Sequence, residues 1–176
     1  SKTLKNLQGT ASAAGRLGDL YVELADYKKA MKFYENAISV AEEMNLESFT
    51  WAQMYHKSEL LFFMEKYDES HELNEFVLKK KKAAGIPEKV FEGQMLRGRI
   101  EFVNGKTGED NYLFEMIKET ESASEKADLH YELFKLTKKE IHQKSALEFY
   151  ESLKAKDPDK PWYELDKRLE ILKGNE

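Results

Sequence analysis

The sequence contains no cysteine, and only 3 prolines and 9 glycines in 176 residues. The missing cysteine excludes disulfides and thiolate metal ligands, and suits a reducing compartment such as the cytoplasm. Scarce proline suits long helices joined by short turns. No run approaches the ~20 apolar residues that a membrane-spanning helix needs, so no membrane partner is expected. There is no excess of positive charge: 28 Lys and Arg stand against 33 Asp and Glu, a net charge of −5. That balance speaks against nucleic acid, whose recognition needs a basic face. The one basic run, Lys79 to Lys82, reads as the solvated last turn of a helix, where cations favour the dipole. There is no signal peptide, and the opening Ser1 in place of Met reads as a chain excised from something longer or trimmed after a tag.

What is present is the composition of a globular chain of one-domain length, 41% hydrophobic and 35% charged. Its organising stretch is Leu17 to Ile38, LGDLYVELADYKKAMKFYENAI. Two antiparallel helices pack closely only where something small sits at their contact. Gly18 and Ala30 supply small residues on either side of the turn at Asp26-Tyr27, and Leu17, Tyr21, Phe33 and Tyr34 fill the space beside them. Asp26 is the expected N-cap, with Lys29 in place of the Glu or Gln of a capping box.

The pattern recurs. Lys66-Tyr67-Asp68-Glu69-Ser70 repeats Asp26-Tyr27-Lys28-Lys29-Ala30 at a shift of 40, which puts Ser58 on the Gly18 slot and Val77 on the Ala37 slot. A further shift of 40 brings Gly98 to the same slot, with Asp110 a poor stand-in for the small residue of the second helix. Ala146-Leu147-Glu148-Phe149-Tyr150 repeats Ala30-Met31-Lys32-Phe33-Tyr34, and Pro158 follows eight after Tyr150. Leu17-Gly18, Tyr21, Ala30 and Tyr34 in this order resemble the tetratricopeptide signature W-x₂-L-G-x₂-Y…A-x₃-F…P, with Ala14 in the Trp slot and Tyr34 in the Phe slot. The steps of 40, 40 and 36 exceed the standard unit of about 34, as in kinesin light chain and bacterial regulatory repeats of that family.

The resemblance implies an all-α fold, a right-handed α-solenoid of about four helical hairpins: 11–46, 47–85, 86–122 and 123–156. Residues 1–10 would be an N-terminal segment ending a preceding helix, and 157–176 a capping helix. The apolar face of that helix is Trp162, Leu165, Leu169 and Leu172. Expected helices run from Ser12 to Leu24, Tyr27 to Met44, Glu47 to Met64, Tyr67 to Ala84, Pro87 to Val103, Glu109 to Glu121, Ser124 to Lys139, Gln143 to Lys156 and Trp162 to Leu172. Gly85 is the expected C′ residue, with Pro87 opening the next helix.

Chemistry is hard to place. Gly105-Lys106-Thr107 lacks the glycine a phosphate loop requires at Ile100. His56, His71, His130 and His142 show no metal-ligand spacing, and read as satisfied or exposed. No serine sits in a nucleophile-elbow setting and no carboxylate pair stands out, so neither catalysis nor a cofactor or metal is expected. The candidate site is the concave groove that the resemblance implies. Its ligand-facing slots fall at Gly15, Asp19 and Val22, then at Tyr55, Glu59 and Phe62. They continue at Met95, Arg99 and Phe102, then at Tyr131, Lys135 and Lys138. Tyr55, Phe62, Met95, Phe102 and Tyr131 would form an apolar floor. Asp19 and Glu59 would place negative charge at one end, and Arg99, Lys135 and Lys138 positive charge at the other. The Lys/Asn clamp of chaperone-binding members would fall on Gly15 and Asp19 and on Tyr55 and Glu59, so binding of an acidic chaperone tail is disfavoured. The expected function is a protein-protein interaction scaffold holding a peptide or partner segment. The alternatives are a peptide-sensing regulatory module of a larger signalling or transcription protein, and a structural role in homo-oligomer assembly through the closing helix.

Overall fold

The computed structural model describes residues 2–174, with side chains from Asn6 onward, and it is all-helical among them. Nine helices follow in order: α1 Lys2–Glu23, α2 Tyr27–Glu43, α3 Glu47–Phe63, α4 Tyr67–Ala84, α5 Val90–Val103, α6 Tyr112–Glu119, α7 Ala123–Thr137, α8 Glu140–Lys156 and α9 Tyr163–Lys173. The chain divides into two compact units, one up to Ile100 and the other from Glu101 onward. Ser1, Asn175 and Glu176, which the expected terminal segments include, lie outside the described residues.

Helices α1 to α5 end by one recurring device. Ala25, Asn45, Glu65, Gly85 and Gly105 all adopt left-handed backbone, each 20 residues after the last. At each, two N–H groups fold back onto the helix that has just ended. Ala25 N donates to Val22 O (3.0 Å) and Asp26 N to Tyr21 O (2.9 Å), and the same pair of bonds forms at Asn45, Glu65, Gly85 and Gly105. These bonds satisfy carbonyls that a helix end would otherwise leave without partners. Only two of the five positions carry the glycine that makes such a turn conspicuous in a sequence.

In the first unit, consecutive helices pack as neighbours, α1 on α2, α2 on α3 and α3 on α4, with α1 also meeting α3. The small residues do what their spacing predicts. Ala30 and Ala37 are fully buried, as are Ser58 and Ser70, and Ser70 Oγ donates to Ser58 O at 2.7 Å. Gly18 lies flat against the Tyr34 ring, where an added Cβ would stand 2.4 Å from a ring carbon. Asp26 caps α2 by accepting from Lys29 N at 3.2 Å. One core gathers Ala30, Tyr34 and Leu60; another gathers Tyr55, Val77, Leu96 and Ile100. Asn74 ties α4 to α5 through a bond from Nδ2 to Gly93 O (2.8 Å).

The second unit is built on α7 and α8, with α6 against α7 and α9 against α8. Its core holds Ala127, Tyr131, Ala146, Tyr150, Leu165, Leu169 and Leu172, with Trp162 packed on it. The apolar face expected of the closing helix is therefore the face that is buried.

Four sequence expectations need correction. Helix α1 begins at Lys2 rather than Ser12, so most of residues 1–10 continue the first helix instead of forming a separate segment. Pro87 does not open α5, which starts at Val90, because Lys89 takes a left-handed conformation (φ 61°) that no helix admits. Asp110 is exposed and outside α6; the buried Asn111 caps that helix, accepting from Leu113 N at 2.9 Å, and leaves it only 8 residues long. In the basic run, Lys79, Lys80 and Lys82 are exposed, but Lys81 is fully buried and its Nζ donates to Glu88 O (2.6 Å). Burial pulls the Lys81 pKa below its ordinary value.

Candidate functional site

Six of the ten expected site residues lie in the first unit: Asp19 on α1, Tyr55, Glu59 and Phe62 on α3, Met95 and Arg99 on α5. The 40-residue step puts Asp19, Glu59 and Arg99 at the same register position of the alternate helices α1, α3 and α5. Glu59 Oε1 receives Arg99 Nη2 at 2.9 Å, and the Arg99 guanidinium lies 5.5 Å from the centroid of the Phe62 ring. A planar guanidinium suits both contacts at once. Tyr55 is buried beside this pair, and burial, with the Glu59 charge next, pushes its hydroxyl pKa well above the ordinary value. Met95 is half-buried on α5.

Asp19 is held differently. Its Oδ1 accepts from the Tyr34 hydroxyl at 2.7 Å and lies 3.8 Å from His56 Nδ1. The Tyr34 and His56 rings stack at 5.9 Å, and Tyr55 meets His56 edge-on at 5.4 Å. Burial raises the Tyr34 pKa, with the Asp19 bond acting in the same direction. Burial lowers the His56 pKa, against the pull of Asp19 and Glu59. Asp19 has no Lys or Arg partner among the described residues, and its side chain is 52% exposed. The result is a continuous run of contacting groups, Asp19, Tyr34, His56 and Tyr55, leading to Glu59, Arg99 and Phe62. One end of it is an exposed carboxylate held by the Tyr34 hydroxyl; the other is a closed ion pair.

Sequence reasoning missed His56, read only as satisfied or exposed. Its signal was available: it stands three residues before Glu59 on the same helix face and next to Tyr55.

The other four expected residues lie in the second unit. Lys135 Nζ pairs with Glu132 Oε2 at 2.7 Å and stands 5.1 Å from the Tyr131 ring centroid. Tyr131 is buried, Phe102 is half-buried, and Lys138 is the left-handed C-cap of α7 with its Nζ 5.7 Å from the Phe134 ring. Tyr131 and Lys135 are thus brought together. A cluster that the sequence did not announce stands in the same unit: Asp128 Oδ1 accepts from the Tyr150 hydroxyl (2.7 Å) and from Arg168 Nη1. Beside it opens a cavity of about 350 Å³, lined by Trp162, Tyr163, Lys160 and Leu153 among others. Arg168 and Asp128 neutralise each other at its wall. Two histidines meet nearby on α7 and α8, His130 Nδ1 and His142 Nδ1 standing 3.1 Å apart.

Among the described residues no group of three or more His, Cys, Asp or Glu is placed to hold a metal ion, and no helix is long and apolar enough to cross a membrane. Comparison with family models, with curated proteins and with solved structures found no match.

Proposed function

We propose that the chain is a tetratricopeptide-like interaction module, an α-solenoid whose first helices carry the binding row. On this reading the row on α1, α3 and α5 captures a partner segment: Asp19 receives a basic side chain, and Phe62 with the stem of Arg99 receives an apolar one. The observation that carries the reading is the state of Asp19, a half-exposed carboxylate with no Lys or Arg partner among the described residues, held in place by the Tyr34 hydroxyl with the His56 ring 3.8 Å away. A carboxylate fixed by a neutral hydroxyl donor keeps its geometry and its charge for an incoming cation. Glu59 and Arg99, already joined, supply shape and a flat apolar-backed surface. Both units act as binding scaffold in this reading, without catalysis or cofactor.

The test is selection of random displayed peptides against the full chain, followed by binding measurements on Asp19→Lys and Phe62→Ala. The expected result is a consensus with Lys or Arg next to an apolar residue. Affinity should fall at least tenfold, about 1.4 kcal/mol, in Asp19→Lys. Peptides that bind both variants as tightly as the parent chain sink the proposal.

A further inference from the structure

The second unit carries a cavity that the row on α1, α3 and α5 does not use. Its walls come from α7, α8, the loop 157–162 and the first turns of α9. At about 350 Å³ it falls within the range of small-molecule pockets, roughly 300–1,000 Å³. The polar handles of its inner rings are already taken. Trp162 Nε1 donates to Asp157 O at 2.9 Å, and the Tyr150 hydroxyl donates to Asp128 Oδ1 at 2.7 Å. What these rings leave for the cavity is carbon, joined by Leu153, Pro161 and Leu165. Tyr163, 77% exposed, adds a further ring. Walls held in this way keep their shape before anything binds, which lowers the cost of ordering them around a ligand.

The charges at the wall do not cancel. Asp128 is answered by Arg168, and Glu164 by Lys167 at 3.6 Å. Lys160 has no carboxylate partner among the described residues, and its ammonium lies 4.2 Å from the centroid of the Trp162 ring. Arg168 spends Nη1 on both Asp128 and the Tyr150 hydroxyl, while its Nε and Nη2 donate to no described residue. Ammonium and guanidinium groups donate and never accept. We infer that this cavity binds a small aromatic acid, its flat ring system against Trp162 and Tyr163 and its carboxylate drawn to Lys160 and the open edge of Arg168. A cationic ligand is disfavoured because Lys160 already takes the cation's place over the Trp162 ring. A neutral ligand would forgo the stronger hydrogen bonds that charged donors make to a carboxylate.

The probe is β-naphthoate, titrated into the full chain while the indole N–H resonances of Trp51 and Trp162 are followed by two-dimensional NMR. Trp162 should shift along a saturable curve while Trp51, in the first unit, stays. Affinity should fall at least tenfold for β-naphthamide, which keeps the ring and loses the charge, and at least tenfold in Lys160→Glu. Lys144→Glu makes the same charge change at an exposed α8 lysine outside the lining and should leave binding unaltered. Lys160 lies in an exposed loop, so its variant keeps the helical circular dichroism; Tyr163→Ala, the second variant, should weaken binding in the same direction. An acetylated tripeptide ending in tryptophan with a free carboxylate carries the same chemistry at a chain end. Tighter binding than β-naphthoate places the acid on a peptide, weaker binding places it on a free molecule, and either upholds the class. Absence of saturation up to roughly 1 mM β-naphthoate, equal binding of the amide or by Lys160→Glu, tighter binding of β-naphthylmethylammonium, or equal shifts at both indoles overturns the inference.

Discussion

Gly9 and Gly18 lie on the same helix, α1, and replacing each by alanine should move stability in opposite directions. An alanine Cβ at position 9 meets nothing within 4 Å. The substitution then gains only the intrinsic helix preference of Ala over Gly, about 0.8–1.0 kcal/mol. At position 18 the same gain is available, but the Cβ would stand 2.4, 2.6 and 3.0 Å from three atoms of the Tyr34 ring. An aromatic ring cannot yield as a flexible chain end does, and overpacking of this kind costs about 1–3 kcal/mol. Moving the ring also strains the bond from the Tyr34 hydroxyl to Asp19 (2.7 Å), a contact to a charged group worth about 1.5–3 kcal/mol. Set against the helix gain, the net is a destabilisation of about 1–3 kcal/mol. For a chain of this size that is a fall in melting temperature of roughly 2–12 °C, against a rise of about 2–4 °C for Gly9→Ala. The assay is thermal unfolding followed by circular dichroism. In a Tyr34→Leu background the cost of Gly18→Ala should shrink, because the ring that causes the clash is gone. A Gly18→Ala protein as stable as Gly9→Ala would refute the close contact of α1 and α2 on which the first unit rests.

Other expectations follow from the same contacts. Glu65 has a left-handed backbone (φ 60°), so Glu65→Gly should remove a conformational cost of about 1–2 kcal/mol at the expense of about 0.5–1 in chain entropy, raising stability slightly in a urea titration. Asp128→Asn takes the charged acceptor from both Tyr150 and Arg168 and should destabilise the second unit by about 1.5–3 kcal/mol, read in the same titration. Burial, with His142 and Lys126 adding to it, brings His130 down to about 4, and His142 is lowered by burial and then by Lys139. An unfolded histidine titrates near 6.5, so between pH ~6.5 and ~4 the unfolded chain binds more protons and stability should fall as the pH falls. His130→Phe, which keeps a ring against Phe149, should flatten that slope in melts across the same pH range.

Much of the fold was legible because it is carried by local spacing. Gly18, Ala30, Ala37 and their counterparts Ser58, Ser70 and Val77 announce close-packed helices, and all but one of the helix starts fall within three residues of expectation. The recurring turn was only partly legible: Gly85 and Gly105 mark themselves and Asn45 tolerates left-handed backbone well, whereas Ala25 and Glu65 adopt the same backbone with residue types that do not signal it. Contacts between distant parts of the sequence were not readable at all. Nothing about Arg168 tells that it reaches Asp128, forty residues earlier, and nothing about Lys81 tells that its amine is buried against Glu88 rather than solvated with its neighbours. The site fell between these cases. The 40-residue step named Asp19, Glu59 and Arg99, but the Tyr34 hydroxyl that holds Asp19 and the His56 ring beside it emerge only when α1, α2 and α3 are packed together.

The central claim is that the row from Asp19 to Arg99 is where a partner segment binds. The most direct measurement is the two-dimensional NMR spectrum of the full chain titrated with a displayed-library peptide selected against it. Binding at the row predicts shifts concentrated at Asp19, His56, Glu59, Phe62 and Arg99, with the Tyr34 hydroxyl environment changing alongside. Shifts confined to the cavity beside Trp162 and Arg168 would contradict it.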